Sequence, residues 1–329
     1  MNETMKAYVY KAGGGPEVIE LTERQIPTVG SGEVLVKVEA FGLNRADVQQ
    51  RKGVYPPPPG ASDIPGLEVS GSIVAVGDAV TEWSVGTRVA ALLASGGYAQ
   101  YVNVPTELLI RIPDELSSVD AAALPEVSAT VVSNLFIEGG LQEGQTILIH
   151  GGAGGIGSMA IQLAKAAGAR VFVTASSAQK LAYCQQLGAD EGINYREEDF
   201  EQRVKELTDG QGVNLILDVI GAKYLQGNIN ALAVDGRVVV IGLQGGTKAE
   251  MNLGVMLAKR ARVIATTLRS RPLAQKSEII KQTVARVMPL VDEGTLSINV
   301  SKVFEFSDLT SAHEYFDSGE HTGKIVVRV

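Results

Sequence analysis

Apolar and polar positions alternate over Lys6–Tyr10, Glu33–Phe41 and Val69–Val76, with Gly-Pro, Gly-Ser-Gly and Gly-Asp pairs between them. A period of two bounded by turn residues predicts short strands, so irregular β structure is expected up to about Pro113. The pattern changes near Asp114. SSVDAAALPEVSATVVSNLF, from Ser117, is alanine-rich and helix-like, and Pro125 must break or bend it because proline has no N–H to give the preceding turn. Apolar runs at Thr146–His150, Arg170–Thr174, Ile193–Asn194, Leu215–Val219 and Arg237–Gly242 then predict strands. Helical patterns lie between them, among them Ser158–Ala167 closed by Gly168 and Gln179–Leu187 closed by Gly188. Apolar runs in βα alternation imply a parallel sheet covered on both faces. A helix over about Leu273–Glu293, strands at Lys302–Phe306 and Lys324–Val329, and a helix near Asp308–Asp317 follow without that alternation. The expected fold class is α/β. A doubly wound domain, residues 125–267, is inserted between two parts, 1–124 and 268–329, of a β-rich domain.

Composition narrows the possibilities. A chain of 329 residues suggests two domains at roughly 150 residues each, and 45% hydrophobic residues supply ample core and argue against disorder. With 29 basic and 37 acidic residues the net charge is −8, which gives no broad cationic surface for a nucleic-acid backbone. Cys184 is the single cysteine, and His150, His313 and His321 are the only histidines, so neither a disulfide nor a dedicated metal site is expected. The start MNETMKAYVYKAGGG lacks a signal-peptide pattern. No run reaches the roughly 18 apolar residues of a membrane span. The expected compartment is the cytoplasm, with no membrane partner.

The 37 glycines include a cluster at Gly151–Gly157. There Gly152, Ala153, Gly154, Gly155, Ile156 and Gly157 spell G-x-G-x-x-G between an apolar strand and an amphipathic helix. A side chain at these glycines would hold a pyrophosphate away from backbone N–H groups and the positive helix end, or wedge the helix off its strand. The pattern alone fits any glycine-rich turn; the strand-to-helix context points to a dinucleotide. An acid at the end of the next strand would select NAD. Here that strand leads into Ser176, Ser177 and Lys180 with no carboxylate, and donors of that kind suit a 2′-phosphate. NADP(H) is therefore expected, although Ser176 could equally cap the following helix and Lys180 could be a solvated helix residue.

FGLNRADVQQRKGVYPPPPG, residues 41–60, carries Asn44, Arg45, Asp47 and Tyr55 ahead of four prolines. A stiff extended arm would present Tyr55 to a planar substrate, its ring for stacking and its hydroxyl for a carbonyl oxygen. Packing of the same ring on the prolines is the structural alternative. Asn44 offers a donor and an acceptor, or it caps a turn. In DIPGLEVSG, residues 63–71, Leu67 stands where a Gly-His-Glu metal segment would place histidine, and Glu68 is expected to pair with a lysine or arginine.

Across essentially its whole length the chain resembles the zinc-free quinone oxidoreductase branch of the medium-chain dehydrogenase/reductase superfamily. The segments that carry the likeness are FGLNRAD (41–47), GVYPPPPG (53–60), PGLEVSGSIVAVG (65–77), GGYAQYVNVP (96–105), HGGAGGIG with AIQLAK (150–165), NLILDVIG (214–221) and GKIVV (323–327). NYREEDF (194–200) and TTLRSR (266–271) narrow it within the branch. The resemblance implies a GroES-like catalytic domain, a Rossmann domain, NADPH bound in the cleft, and a homodimer or homotetramer built by extending the Rossmann sheets. Matched residue by residue, it puts adenosine-phosphate contacts on Ser176, Lys180 and Tyr195. Nicotinamide-side contacts fall on Thr130, Gly221, Gly242, Leu268 and Arg269, and the substrate pocket on Asn44 and Tyr55. Asn44 stands where zinc-dependent relatives place a catalytic cysteine, and the cysteine-rich lobe is missing, so no metal is expected. The expected activity is hydride transfer from NADPH to a quinone, with Asn44 and Tyr55 as donors to the acceptor oxygen and water as the proton source. An enoyl or alkenal double-bond reductase and a non-enzymatic NADPH-binding structural or partner-binding protein are the alternatives.

Overall fold

The computed structural model describes residues 3–329. The chain opens with β1 (Thr4–Tyr10) and β2 (Ile19–Gln25), an antiparallel pair in register from Thr4↔Gln25 to Tyr10↔Ile19. β3 (Glu33–Gly42) buries Val34, Val36 and Val38 on one face and exposes Lys37 and part of Glu39 on the other, while Leu35 and the end of the strand at Ala40–Gly42 are buried on both. It runs directly into α1 (Arg45–Arg51). β4 (Glu68–Val76), β5 (Arg88–Leu92), β6 (Tyr101–Pro105) and β7 (Leu109–Arg111) continue an antiparallel sheet in which β3 is shared by β4 and β6. The helix-like stretch after Ser117 is broken at Pro125: α2 (Ser118–Ala121) stops before it, and α3 (Pro125–Val131) starts on it. Proline at a first helical position loses only an N–H that would have had no intrahelical partner. α3 then widens into a π-helical segment, Val132–Glu138, which the sequence pattern does not announce.

Strand and helix now alternate. β8 (Thr146–His150), α4 (Gly155–Ala166), β9 (Arg170–Ala175), α5 (Ala178–Gln186), β10 (Glu191–Asn194) and α6 (Phe200–Leu207) form the first half. β11 (Val213–Asp218), α7 (Leu225–Ala231), β12 (Leu232–Val240), α8 (Leu253–Lys259) and β13 (Arg262–Ala265) form the second. The six strands are parallel in the order β10-β9-β8-β11-β12-β13, the doubly wound order whose direction reverses between β8 and β11. Leu148, Phe172, Ile216 and Val238 fill the core on one face. Ile147, Val171, Leu215 and Val239, their neighbours along each strand, are equally buried, which is why these strands read as unbroken apolar runs. α4 begins three residues before the predicted Ser158, because Gly155 and Gly157 form its first turn and glycine hides helical character. β13 is four residues long and was not anticipated.

The tail supplies α9 (Leu273–Asp292), β14 (Val300–Glu305), α10 (Leu309–Ser318) and β15 (Lys324–Arg328). β15 pairs antiparallel with β3, and β14 pairs parallel with β15. Ile279, Ile280, Leu309 and Phe316 join Val36, Phe41 and Tyr98 in one core, where the rings of Phe41 and Tyr98 stack at 4.6 Å. The chain therefore divides into two compact units: residues up to Ala129 with Leu268–Val329, and Thr130–Thr267. Among the described residues, no helix is long and apolar enough to cross a membrane.

Candidate active site

In the Thr130–Thr267 unit, the loop Gly151–Gly157 leaves the C-terminal end of β8 at the strand-order reversal. Its glycines are of two kinds. A Cβ on Gly157 would lie 2.3 Å from the Gly151 carbonyl oxygen, and one on Gly152 would lie 2.8 Å from Val173 Cβ. These two let loop, helix and strand close on each other. A Cβ on Gly154 would meet nothing nearer than the Gly151 carbonyl oxygen at 3.7 Å, so packing does not demand glycine there; open access to the backbone does. Gly154 is also the N-cap of α4, and no side chain caps that helix. By contrast, Ser177, Asp199 and Asn252 cap α5, α6 and α8 with side-chain oxygens. Uncapped N–H groups at the positive helix end, beside space a side chain could have filled, fit a pyrophosphate. Ala153 is buried within the loop, and Gly155 and Ile156 begin the helix.

Behind the loop runs a side-chain relay. His150 Nε2 stands 2.7 Å from Asn228 Oδ1, its Nδ1 stands 3.1 Å from Thr174 Oγ1, and Asn228 Nδ2 donates to Asp218 Oδ2 at 3.1 Å. The carboxylate can only accept, which orients the amide, so the imidazole donates from Nε2 and accepts the Thr174 hydroxyl at Nδ1. Burial lowers the His150 pKa to about 4 and raises that of Asp218 to about 6. Asp218 also accepts from Ile220 N at 2.7 Å and Gly221 N at 3.1 Å, and Gly151 N donates to Thr174 Oγ1 at 3.3 Å. The relay thus joins the glycine loop to the turn at Gly221, where φ is 78°. A Cβ on Gly242 would stand 2.7 Å from Val219 O, so that glycine is needed for packing.

At the end of β9, Ser177 rather than Ser176 caps α5, accepting from Lys180 N at 3.3 Å. The alternative that Ser176 caps the helix therefore falls away, and Ser176 lies outside the helix. Lys180 is partly buried; burial first, and Arg196 second, lower its pKa. Arg196 follows the half-exposed Tyr195 in sequence and was missed; its adjacency to Tyr195 was the signal. Lys180, in the first turn of α5, and Arg196, just after β10, are thus two interacting cations, and no carboxylate stands between Arg170 and Leu187. Thr130 is buried at the start of the unit, its carbonyl accepting from Asn134 Nδ2 at 2.7 Å inside the π-helical segment. Asn134 Oδ1 accepts in turn from the Thr266 hydroxyl at 2.5 Å.

In the other unit, Asn44 joins β3 to α1 and is buried. Its Nδ2 donates to Glu68 Oε1 at 2.8 Å, and its Oδ1 accepts from Lys324 Nζ at 2.6 Å. Glu68 pairs with that lysine at 2.5 Å, as a buried acid beside a strand requires. Asp47, three residues after Asn44, accepts from Asn44 N at 2.8 Å through Oδ2, while its Oδ1 has no hydrogen-bond partner. Burial raises the Asp47 pKa to about 7 against the pull of the Asn44 N–H, Arg269 and Lys324. The Tyr55 ring lies 5.5 Å from the guanidinium carbon of Arg269. Arg269 donates from Nε to Ala94 O and from Nη2 to Gln50 Oε1, both at 2.6 Å, and Nη1 remains as a buried donor without a partner. Leu268 packs against the core of this unit. Lys324 belongs to the GKIVV segment but was not singled out, because nothing local connects it to Asn44.

Among the described residues, no group of three or more His, Cys, Asp or Glu side chains is placed to hold a metal ion. Residues 155–288 match the family described as zinc-binding dehydrogenase, and residues 30–114 match the alcohol dehydrogenase GroES-like domain. The donors present do not fit zinc: Leu67 has no ligand atom, and the Lys324 ammonium already lies against Glu68 and Asn44. The quinone oxidoreductase of Pseudomonas aeruginosa is 33% identical over 98% of this chain and 99% of that protein. The Escherichia coli quinone oxidoreductase complexed with NADPH superposes with a TM-score of 0.87 at 28% identity, covering 99% of this chain and 100% of that one. The CurK enoyl reductase gives the same TM-score and identity over 99% of both chains. With a glycine loop at the turning point of a doubly wound sheet, a GroES-like unit around it in sequence, and full-length similarity of this degree, the chain belongs to the medium-chain dehydrogenase/reductase superfamily, with quinone oxidoreductases among its relatives.

Proposed function

We propose that the protein is a cytoplasmic, zinc-independent oxidoreductase that uses NADPH to reduce quinones. The observation that carries this reading is the open Gly154 cradle at the uncapped start of α4, with Lys180 in the first turn of α5 and Arg196, just after β10, close enough to lower its pKa. The cofactor is NADPH. Gly152–Gly157 would hold its pyrophosphate and Ser176, Lys180, Tyr195 and Arg196 its 2′-phosphate, and the family match assigns Thr130, Gly221, Gly242, Leu268 and Arg269 to its nicotinamide. When bound, NADPH supplies hydride. The chain's own residues hold the acceptor: Asn44 Nδ2 and the Tyr55 hydroxyl donate to the carbonyl oxygen on which negative charge grows, and the Tyr55 ring stacks on the acceptor plane. Water supplies the proton. The quinone is supported by the name of the P. aeruginosa relative. A 2-enoyl or alkenal acceptor is the second reading, supported by the CurK neighbour.

The test is NADPH oxidation, with NADH alongside, against ortho- and para-quinones and an α,β-unsaturated aldehyde, with and without a chelator. Chelator-insensitive quinone turnover that prefers NADPH is expected. Turnover of the aldehyde alone moves the function to double-bond reduction, and NADPH binding without turnover makes the protein a non-enzymatic binder. Tyr55→Phe is expected to lower kcat; unchanged kinetics would leave Tyr55 only a stacking role. β13 is a free sheet edge, and Leu253 and Leu257 on the adjacent α8 are 64% and 78% exposed. They support a homodimer or homotetramer, to be checked by analytical ultracentrifugation.

A further inference from the structure

We propose that Lys324 is a positioning residue that sets which way the Asn44 amide faces, and so presents its N–H to the acceptor oxygen; this rests on the reading of Asn44 as that donor. The two ends of an asparagine amide have nearly the same shape and opposite chemistry, and at 5% exposure water does little to select between them. The neighbours do. An ammonium has three hydrogens and nothing to accept with, so Lys324 Nζ, 2.6 Å from one end of the amide, can be met only by oxygen. A carboxylate accepts only, so Glu68 Oε1, 2.8 Å from the other end, is met by nitrogen. The flipped amide would set NH₂ against ammonium and carbonyl against carboxylate, two repulsions in place of two charge-assisted hydrogen bonds.

Lys324 is itself immobilised. Its three hydrogens are spent on Asn44 Oδ1, Glu68 Oε1 at 2.5 Å and Leu43 O at 3.0 Å. The second oxygen of Glu68 accepts from Glu126 N at 2.9 Å. Lysine, asparagine and glutamate therefore close a triangle in which every edge is a hydrogen bond and no member can turn alone. One Nδ2 hydrogen is used on Glu68, and the other is the donor left for substrate. A cation on the carbonyl end also draws electron density through the conjugated amide and makes that remaining N–H a stronger donor.

The experiment is a double-mutant cycle over Asn44→Ala and Lys324→Met, reading kcat with NADPH and an ortho-quinone, NADPH Kd by nicotinamide fluorescence, and folding by circular dichroism. Each single variant is expected to lose at least about tenfold in kcat with NADPH Kd within about twofold of wild type. The double variant is expected to be no slower than the slower single, because a residue that acts through Asn44 has nothing to position once the amide is gone. Lys324→Met at wild-type kcat, or two losses that multiply, overturns the proposal while leaving Asn44 its role. Wild-type kcat in Asn44→Ala overturns the reading of Asn44 itself. If Lys324→Met unfolds because Glu68 is left as a lone buried charge, the cycle moves to Lys324→Met with Glu68→Gln. In that background Asn44→Ala is expected to cost less than about threefold, against at least about tenfold in the wild type, and a full further tenfold loss refutes the positioning role.

Discussion

The two units hold their candidate site residues with different material. In the Thr130–Thr267 unit the candidate groups are backbone: three glycines and the uncapped start of a helix, braced from behind by a relay in which neutral Thr174, His150 and Asn228 lead to the Asp218 carboxylate. In the unit containing Asn44 they are side chains, braced by charge. The same contrast separates the buried histidines. His150 is held by a hydroxyl and an amide. His313 lies 3.1 Å from an Arg51 nitrogen and 3.3 Å from the Tyr98 hydroxyl, so it too must be neutral, accepting from the arginine. Burial, then Arg51, lower its pKa to about 3. A backbone site tolerates no added carbon and little else matters to it. A charge-braced site tolerates changes of shape but not the loss of one partner.

The sharpest way to break this contrast is Gly157→Ala. Its methyl would overlap the Gly151 carbonyl, and a destabilisation of at least about 2–3 kcal/mol is expected, read as a fall in Tm without ligand. Gly154→Ala should separate folding from binding: the apoprotein melts as wild type does, while NADPH Kd rises by roughly 100-fold, about 2.7 kcal/mol, as the methyl enters the approach to the loop. Equal losses of Tm in both variants would show that Gly154 is a packing residue after all.

Asp47→Asn tests the charge-braced side. A carboxyl whose folded pKa is raised from 3.8 to about 7 favours folding while protonated, and its contribution is lost as pH rises through that interval. The asparagine variant should be flatter between pH 4 and 7 and more stable than wild type at pH 8 by on the order of 2 kcal/mol in chemical denaturation. His150 and His313 act in the opposite sense in both proteins, since their stability contribution is lost as pH falls from 6.5 toward about 4 and about 3. A parallel pH profile in wild type and variant would remove Asp47 from this account. The smallest effect is expected of Lys180→Ala, a roughly tenfold loss of preference for NADPH over NADH, about 1.4 kcal/mol, with NADH kinetics unchanged.

The same difference in material decides what could be read from sequence. The glycine loop was legible because backbone recognition is local: glycines, strand and helix fall within twenty-odd residues, and their spacing is the mechanism. The missing acid after β9 was legible for the same reason, although the cap fell on Ser177 instead of Ser176. The surroundings of Asn44 were not. Lys324 reaches it across 280 positions of sequence, and only the pairing of β15 with β3 brings them together. Asp47 was noticed in its loop, but burial, which gives it a pKa near neutrality, leaves no trace in composition. The π-helical turn was hidden because the Asn134 side chain that accompanies it is as common in turns and caps as inside helices.

The pairing of β15 with β3 has a further consequence, during synthesis. The nucleotide unit is contiguous, so a ribosome delivers all of it before the tail exists. β3, by contrast, waits for β15 with Asn44 and Glu68 already made and the ammonium that will sit between them still unwritten. At roughly 5–20 residues per second that wait lasts roughly a quarter of a minute to a minute. During that interval a carboxylate destined for burial has no counter-ion, and the GroES-like core cannot close. The nascent chain therefore completes its contiguous Thr130–Thr267 unit first and the unit containing Asn44 last.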